Sequence, residues 1–464
     1  MTASQRILDQ VSARRRPLRI LGASGQLGYG IPTPALEAGL ARGPDMIGCD
    51  MGSIDIGPHY LGSGAMAPTL TGARRDLRKV LLAARRLDIP LVIGSAGSAG
   101  ARPHLDATLA LIRGIAQEEG LAFRLAHIPA DIPKPVLHAA LAAGRIRPMD
   151  TMPELTAQDI DGASHVVGQM GMEAFRRALI AGVDVLVAGR ACDTAIFATL
   201  PVMLGFPTGL ATHMAKIVEC ASLCCVPGGR DTVLAELDDE GFTLESMAPQ
   251  RAATPASVAA HSLYEQADPF DIREPAGRTD LRGVRYVALD DRRTRVSGAA
   301  FAPADRPMVK LEGAMPMGHR ALLLAAAADP AFIARREAIL AGVQQVVRGL
   351  VCEDRAEDYR LTFRCYGTGA VVPLAAGDPP AEIFVLGECL APTAERADEV
   401  IRTTKQYLLH HGYEGRLSTA GNLAFPFTPP EVSTGPAYRF GIFHLMETTD
   451  WETLFPVTFE TLGG

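Results

Sequence analysis

The chain has 464 residues, 48% hydrophobic and 21% charged, an ordinary balance for a globular protein of two or three domains. Its formal net charge of -7 and pI of about 5.9 argue against nucleic acid or an anionic membrane as a partner. Eight dispersed cysteines, no signal-type N-terminus and no apolar run of roughly 18 residues favour a cytoplasmic protein without a membrane partner.

The first predicted strand, residues 18–21, runs into the Gly-rich segment GASGQLGYG. Such glycines let a backbone approach an anionic ligand closely, so Ser24 and Gly25 are candidate binding residues. The spacing is not GxGxxG, which makes this a weak dinucleotide motif. A tight strand-to-helix turn explains the segment equally well.

The second predicted strand, residues 45–49, is followed by a long Gly-rich loop that begins CDMGSIDIG. Asp50 and Ser53 come directly after this strand and are candidate substrate-binding residues. Asp50 and Asp55 are also candidate ligands of a divalent metal ion. The alternative for Asp50 is a cap on the following turn.

Strands and helices then alternate along the chain. An amphipathic helix over residues 74–88 leads to a third strand at 90–94, which ends in GSAGSAG, and a fourth strand follows at 122–128. Ser95 and Gly97 in this second glycine run are candidate binding residues. The alternation is typical of a doubly wound, mostly parallel sheet.

The segment DVLVAGRACD, residues 184–193, contains the residues most suggestive of chemistry. A short buried strand hands over to a helix here, and ligands of open α/β sheets bind at that edge. The guanidinium of Arg190 suits a carboxylate, and Asp193 is a candidate base. A structural pair that caps the helix is an equal alternative.

The next segment, LATHMAKIVECASLCCVPGG, reads as one helix with His213, Cys220 and Cys224 on one face. It has neither CxxC nor HExxH spacing, so the pattern indicates a metal site only weakly. Small cysteines in a buried core are the favoured interpretation. His213 and Glu219 are predicted catalytic residues, because a buried imidazole or acid needs a partner.

Composition changes near residue 230, where strand–turn–strand patterns with charged tips begin. We therefore predict an α/β fold with two domains: a Rossmann-like domain over residues 1–240 and an α+β domain over 241–464. The Pro-rich segment STAGNLAFPFTPPE should pack toward the site of the first domain, with Asn422 as a binding residue.

Several motifs together resemble one family: GQMGMEAFRRALIAGVDVLVAGRACDTA, HMAKIVECASL, TPASVAAHSLYEQADPFDIREP, RVSGAAF and GNLAFPFTPPE followed by YRFGIFHLM. In this order they resemble the acyclic terpene utilisation AtuA-like family. The resemblance implies an α/β enzyme of carboxylate or acyl-CoA catabolism, sometimes described as a lyase. It points to Arg190 and Asp193, and then to His213, Glu219, Cys220 and the Gly421-Asn422 pair.

These observations favour a lyase or hydro-lyase that acts on a small carboxylate or its CoA thioester. Arg190 would bind the carboxylate, Asp193 or Glu219 would take a proton beside the carbonyl, and His213 would protonate the leaving group. A non-catalytic nucleotide- or acyl-CoA-binding subunit is the alternative. A Ser or Cys hydrolase is disfavoured because no GxSxG elbow is present. We expect a homo-oligomer.

Overall fold

The computed structural model describes residues 1–14, 16–354, 356–372, 379–417, 422–448 and 450–463. Its helices are α1 Ala3–Arg14, α2 Thr33–Ala41, α3 Pro58–Ser63, α4 Leu70–Leu87, α5 Arg102–Glu118, α6 Lys134–Ala142, α7 Ala157–Gly162, α8 Met172–Ile180, α9 Asp193–Met203, α10 Thr208–Val218, α11 Pro255–Ser262, α12 Pro330–Val351, α13 Ala394–His410 and α14 Trp451–Leu454, with a 3-10 helix at Ala221–Cys224.

Its strands are β1 Leu18–Ser24, β2 Met46–Asp50, β3 Leu91–Gly94, β4 Phe123–Ile128, β5 Ile146–Pro148, β6 His165–Gln169, β7 Val185–Ala188, β8 Val233–Leu237, β9 Gly241–Ser246, β10 Asp271–Glu274, β11 Gly277–Asp280, β12 Arg285–Ala288, β13 Arg293–Ser297, β14 Ala300–Pro303, β15 Met308–Ala327, β16 Arg360–Tyr366, β17 Ile383–Ala391, β18 Glu431–Glu447 and β19 Thr458–Leu462. No described helix combines the length and the apolarity needed to cross a lipid bilayer.

The chain divides into two compact units, Met1–Ala314 with Phe440–Gly464, and Met315–Arg439. The predicted boundary near residue 240 falls inside the first unit, between β8 and β9. Those two strands pair antiparallel with each other in one sheet. The change in composition near residue 230 therefore marks the point where antiparallel strands follow the parallel ones along the chain.

A ten-stranded sheet forms the centre of the first unit, in the order β12-β13-β9-β8-β1-β2-β3-β7-β4-β19. The central strands β1, β2, β3, β7 and β4 are parallel, whereas the hairpin strands on one side and β19 on the other are antiparallel. The prediction of an α/β fold is confirmed. The predicted mostly parallel arrangement is found only among the central strands of the sheet. Short turns such as Asp238–Gly241 allow antiparallel pairing there, because no crossover helix is needed.

The parallel centre is buried because its strands are nearly continuous apolar runs. Leu77 and Val80 of α4 and Leu105 of α5 join one hydrophobic core with the strand residues Ile47 and Ile93. Helix α4 is amphipathic, and the Thr69 side chain caps it by accepting a hydrogen bond from the Gly72 backbone N–H.

Helices α9 and α10 pack against strand positions that are occupied by glycine. A Cβ atom at Gly48 would lie 2.2 Å from the Phe197 ring of α9, and one at Gly22 would lie 2.6 Å from Val218 of α10. Glycine at these positions therefore lets both helices approach the sheet closely. This packing fixes where α9 begins and where α10 ends.

The second unit has its own hydrophobic core. Residues 319–327 of β15 pair antiparallel with β17, which pairs in turn with β16. Apolar side chains of α12 and α13, such as Phe332, Val343 and Val400, share a core with these strands.

Candidate active site

The start of α9 and the end of α10 each place one acid at the carboxyl edge of the parallel strands. Asp193 is the first residue of α9, and Glu219 directly follows the last residue of α10. Asp50, the last residue of β2, lines the same pocket. The predicted residues Asp50, Asp193 and Glu219 therefore lie together in the structure.

Lys216 lies at the centre of this group and was missed by the sequence analysis. Its Nζ is 2.8 Å from Glu219 Oε1, 3.3 Å from Glu265 Oε2 and 3.7 Å from Asp193 Oδ2. Burial disfavours the ammonium form, but the surrounding carboxylates outweigh burial and raise the pKa of Lys216. The lysine is therefore a fixed positive charge among three acids.

Glu219 is poised to exchange a proton near neutral pH. Burial raises the pKa of its carboxyl to about 7, and the charge of Asp193 adds to this effect while Lys216 opposes it. The Cys220 thiol donates a hydrogen bond to Glu219 Oε2 at 3.2 Å. Both carboxyl oxygens of Glu219 thus have partners that hold the group in one orientation.

Asp50 and Asp193 each keep one buried oxygen without a hydrogen-bond partner, namely Oδ1 in both residues. Burial raises the pKa of Asp50 well above its usual range, and the charges of Asp193 and Glu219 raise it further. Unpartnered buried polar atoms are costly in a folded protein, so water or a bound ligand in this pocket would supply the missing partner.

A fifth acid, Glu274, lines the middle pocket together with Asp193. Thr194 donates a hydrogen bond from its hydroxyl to Glu274 Oε1. Burial raises the pKa of Glu274 to about 7, and the Asp193 charge contributes. The sequence analysis missed Glu274 as well.

These residues line three adjoining cavities of the first unit. The acidic pocket, about 200 Å³, is lined by Ser24, Gly25, Asp50, Ser53, Asp55, Asp193, Glu219, Cys220, Tyr264 and Glu265 among others. The middle pocket, about 320 Å³, includes Ser53, Asp193, Lys216, Glu274 and Lys310. The basic pocket, about 510 Å³, includes Arg147, Arg273, Glu274, Arg278, Arg306 and Lys310. Neighbouring pockets share lining residues, so the three lie next to one another in the first unit, and we call them together the cleft.

Arg190 has a partner that the sequence analysis did not identify. Its Nε donates to Glu312 Oε2 at 2.8 Å and its NH2 group to Glu312 Oε1 at 3.3 Å. Its NH1 group donates to Ser95 Oγ at 3.3 Å. Both Arg190 and Glu312 are almost completely buried, so the bidentate face of the guanidinium binds a carboxylate of the protein itself.

The other predicted residues separate into two groups. Ser24, Gly25 and Ser53 line the acidic pocket as expected. Ser95 and Gly97 are buried behind it, and a Cβ atom at Gly97 would lie 2.8 Å from His104. The second glycine run therefore serves close packing rather than open access to a ligand.

His213 is placed in the core and does not line any of the three pockets. Its Nε2 is 3.0 Å from Ser262 Oγ, and its ring packs edge-on against Phe242 and Tyr286. Burial lowers the pKa of His213 to about 3, which keeps the imidazole neutral. The predicted single helix is interrupted: α10 ends at Val218, and Ala221, with a positive φ of 50°, begins a separate 3-10 helix.

Two groups of side chains have ligand atoms close enough to bind a metal ion: Glu219 with Cys220 and His261, and Asp193 with Glu219 and Glu265. The Lys216 ammonium already contacts all three acids of the second group. Among the described residues, the predicted pair of Asp50 and Asp55 does not form such a group. A divalent ion at that pair stays a prediction.

Asn422 belongs to the second unit, where its side chain is held by neighbouring residues. Its amide donates to the His411 carbonyl at 3.1 Å, and its Oδ1 accepts from Arg416 Nε at 2.8 Å. Gly421 and the start of the Pro-rich segment, residues 418–420, lie outside the described residues. Phe425 packs on the core of the second unit. The role predicted for this loop at the site stays a prediction.

The fold and the cleft define an α/β protein with a buried acid–lysine cluster at the carboxyl edge of parallel strands. The sequence profile described as "Acyclic terpene utilisation family protein AtuA" matches residues 71–424, so the chain belongs to this family. No curated protein and no solved structure shows a significant match to the chain.

Proposed function

We propose that this protein is a lyase of the hydro-lyase type, which acts on a CoA thioester in acyclic terpene utilisation. The supporting observation is the contact of Lys216 with Glu219, since Glu219 lines the acidic pocket, Lys216 lines the middle pocket and Asp193 lines both. The cluster supplies a positive charge, a carboxylate and an acid that exchanges protons near pH 7. Removal of water from a 3-hydroxyacyl group can use all three: a base, a proton donor for the leaving hydroxyl, and a positive charge that stabilises the enolate.

In the proposed reaction, the thioester carbonyl oxygen accepts a hydrogen bond from the Lys216 ammonium. Asp193 takes the proton from the carbon beside the carbonyl, and negative charge develops on the carbonyl oxygen. Its Oδ1, which has no partner in the structure, is free to accept this proton. The nearby positive charge of Lys216 stabilises the enolate.

The protonated Glu219 carboxyl then gives its proton to the hydroxyl group on the next carbon. The C–O bond breaks and the hydroxyl leaves as water, while the electron pair of the enolate forms the carbon–carbon double bond. The substrate thus loses one proton to Asp193 and one hydroxide, and Glu219 supplies the proton that completes the water molecule. The reverse reaction hydrates the double bond through the same groups.

Charge favours a thioester over a free acid at the reacting end. Asp50, Asp193, Glu219 and Glu265 line this end together with Arg230, and Lys216 contacts three of these acids. A substrate carboxylate would have to compete with these acids for the two cations, whereas a thioester carbonyl is neutral. Arg190 is bound by Glu312, so it positions the edge of β7 rather than the substrate.

The test is turnover of branched 3-hydroxyacyl-CoA and 2-enoyl-CoA thioesters, and of the corresponding free acids, by the purified protein. Glu219→Gln should lower kcat by about 100-fold to 10,000-fold, the usual range for loss of an acid. Asp193→Asn should have a comparable effect. The control is Glu37→Gln, which changes an exposed acid paired with Arg86 and should leave kcat unchanged.

The pH profile adds a second readout. Glu219 must be protonated to act as the acid, so the wild-type rate for dehydration should fall as pH rises through about 7. This step should be absent from the residual activity of Glu219→Gln. Binding of thioesters without any turnover would reject the lyase and favour a non-catalytic acyl-CoA-binding subunit.

A further inference from the structure

We infer that the basic pocket binds the phosphate-bearing tail of the substrate, so that the cleft holds a CoA thioester along its length. This inference rests on the proposed function for the reacting end of the molecule. It is carried by the composition and charge of the basic pocket, which is separate from the acid–lysine cluster.

Positive side chains predominate in the basic pocket. Arg147, Arg273, Arg278, Arg306 and Lys310 line it, whereas its acidic lining residues are Glu274 and Asp305. Burial raises the pKa of Glu274 to about 7, so this acid carries only part of a negative charge at neutral pH. The pocket is therefore net positive.

The ion pairs of these residues do not cancel the positive charge. Asp271 forms ion pairs with both Arg273 and Arg278, at 3.6 and 3.2 Å, and it also contacts Arg282, which has a second partner in Asp280. Glu312 is likewise shared by Arg190 and Lys310. In both cases one negative charge faces more than one cation, so positive charge remains for a ligand.

Arg147 has no ion-pair partner among the described residues, and Arg306 has only a partly exposed contact with Glu447 at 3.3 Å. Both side chains are exposed, so they can turn toward a ligand without breaking a buried contact. Arginine binds phosphate oxygens in a bidentate manner, which makes a phosphate group the best chemical match.

The size and continuity of the cleft support a long ligand. The basic pocket has a volume of about 510 Å³, much more than a single carboxylate requires. It shares Gln169, Cys192 and Lys310 with the middle pocket, which in turn shares Asp193 with the acidic pocket. Apolar residues such as Met149, Met308 and Leu445 also line it and suit the non-phosphate parts of the tail.

The two ends of the cleft therefore have opposite charge. Acids outnumber cations at the acidic end, which suits the neutral carbonyl, whereas the basic end attracts the anionic tail. This polarity orients the substrate before any chemistry takes place. A free monocarboxylic acid whose carboxyl group lies at the reacting end has no second anionic group for the basic end.

The experiment measures binding of CoA itself, without an acyl chain, by isothermal titration calorimetry. The test variant is the double substitution Arg147→Gln with Arg306→Gln. The control is Arg348→Gln with Arg402→Gln, which removes two exposed arginines of the second unit. We expect CoA to bind the wild type and the control alike, and the test variant at least tenfold more weakly.

Two outcomes would overturn the inference: equal CoA affinity in test and control variants, or no CoA binding by the wild type. Titration with inorganic phosphate and with a short dicarboxylate separates the possible ligands, because a dicarboxylate that binds more tightly than CoA would assign the pocket to a second carboxylate. Circular dichroism of each variant confirms folding. This experiment measures binding and not turnover, so its result can be interpreted even if the lyase proposal fails.

Discussion

The guanidinium of Arg190 and the carboxylate of Glu312 form a bidentate pair that is almost completely buried, with Nε and Oε2 2.8 Å apart. The pair joins the end of β7 to β15. Burial opposes the charged form of Glu312, but Arg190 and Lys310 outweigh burial and lower its pKa. The pair therefore remains ionised, and its contribution is structural.

Replacing Glu312 with Gln should destabilise the protein by about 3–5 kcal/mol, because it leaves the Arg190 charge buried without compensation. The free energy of unfolding, measured with urea, tests this expectation. Glu337→Gln is the matched control, since it alters an exposed pair with Arg336. Stability equal to that of the wild type, together with lost substrate binding, would instead assign Arg190 to the substrate.

The Glu274 carboxyl should make stability fall as pH rises. Its pKa is about 7 in the folded protein and 4.5 in the unfolded chain. Between these pH values, the folded protein therefore binds more protons than the unfolded chain. Its contribution is fully present below about pH 4.5 and is lost above pH 7. Between pH 5 and 7.5, the free energy of unfolding of the wild type should therefore fall by roughly 2 kcal/mol more than that of Glu274→Gln.

Chemical denaturation at the two pH values measures this difference. Glutamine retains an oxygen that can accept from Thr194, so the variant tests titration rather than packing. Glu395→Gln, at a fully exposed helix position, is the control and should leave the pH dependence unchanged. An identical pH dependence in wild type and Glu274→Gln would contradict the raised pKa.

The strands of the parallel centre were predictable because each is a short apolar run bounded by glycine or a polar residue. Their carboxyl ends place Asp50 and Asp193 at one edge of the sheet, as local pattern and chain topology together imply. Glu219 was also predictable, because an acid in an apolar helical segment needs a partner.

The partners of these residues were not predictable from local pattern. Lys216 is a single lysine in an apolar helix, and its position three residues before Glu219 was the available signal. Glu312 lies 122 residues beyond Arg190, where no motif marks it, and Glu274 lies 80 residues beyond Thr194, in a segment singled out only for its family resemblance. Arg190 therefore looked free for a substrate, and His213 looked like an acid, because pairing across such distances depends on tertiary structure.

His213 should be important for stability and not for catalysis. His213→Phe removes the contact with Ser262 but keeps an aromatic ring against Phe242, so we expect a loss of about 1–2 kcal/mol. The value of kcat should stay within about twofold of the wild type. A 100-fold lower kcat in a variant with native stability would restore the catalytic role predicted from the sequence.

Gly48→Ala tests whether close helix packing holds Asp193 in place. The added Cβ would lie 2.2 Å from the Phe197 ring, so α9 must move away from β2. Overpacking of this kind costs about 1–3 kcal/mol, and because α9 begins at Asp193, kcat should fall with stability. Gly114→Ala is the control: nothing lies within 4 Å of its new Cβ, and alanine should stabilise helix α5 by about 0.5–1 kcal/mol. Unfolding free energy and kcat, measured on both variants, decide the matter. Reduced stability with unchanged kcat in Gly48→Ala would show that the position of α9 does not govern the chemistry.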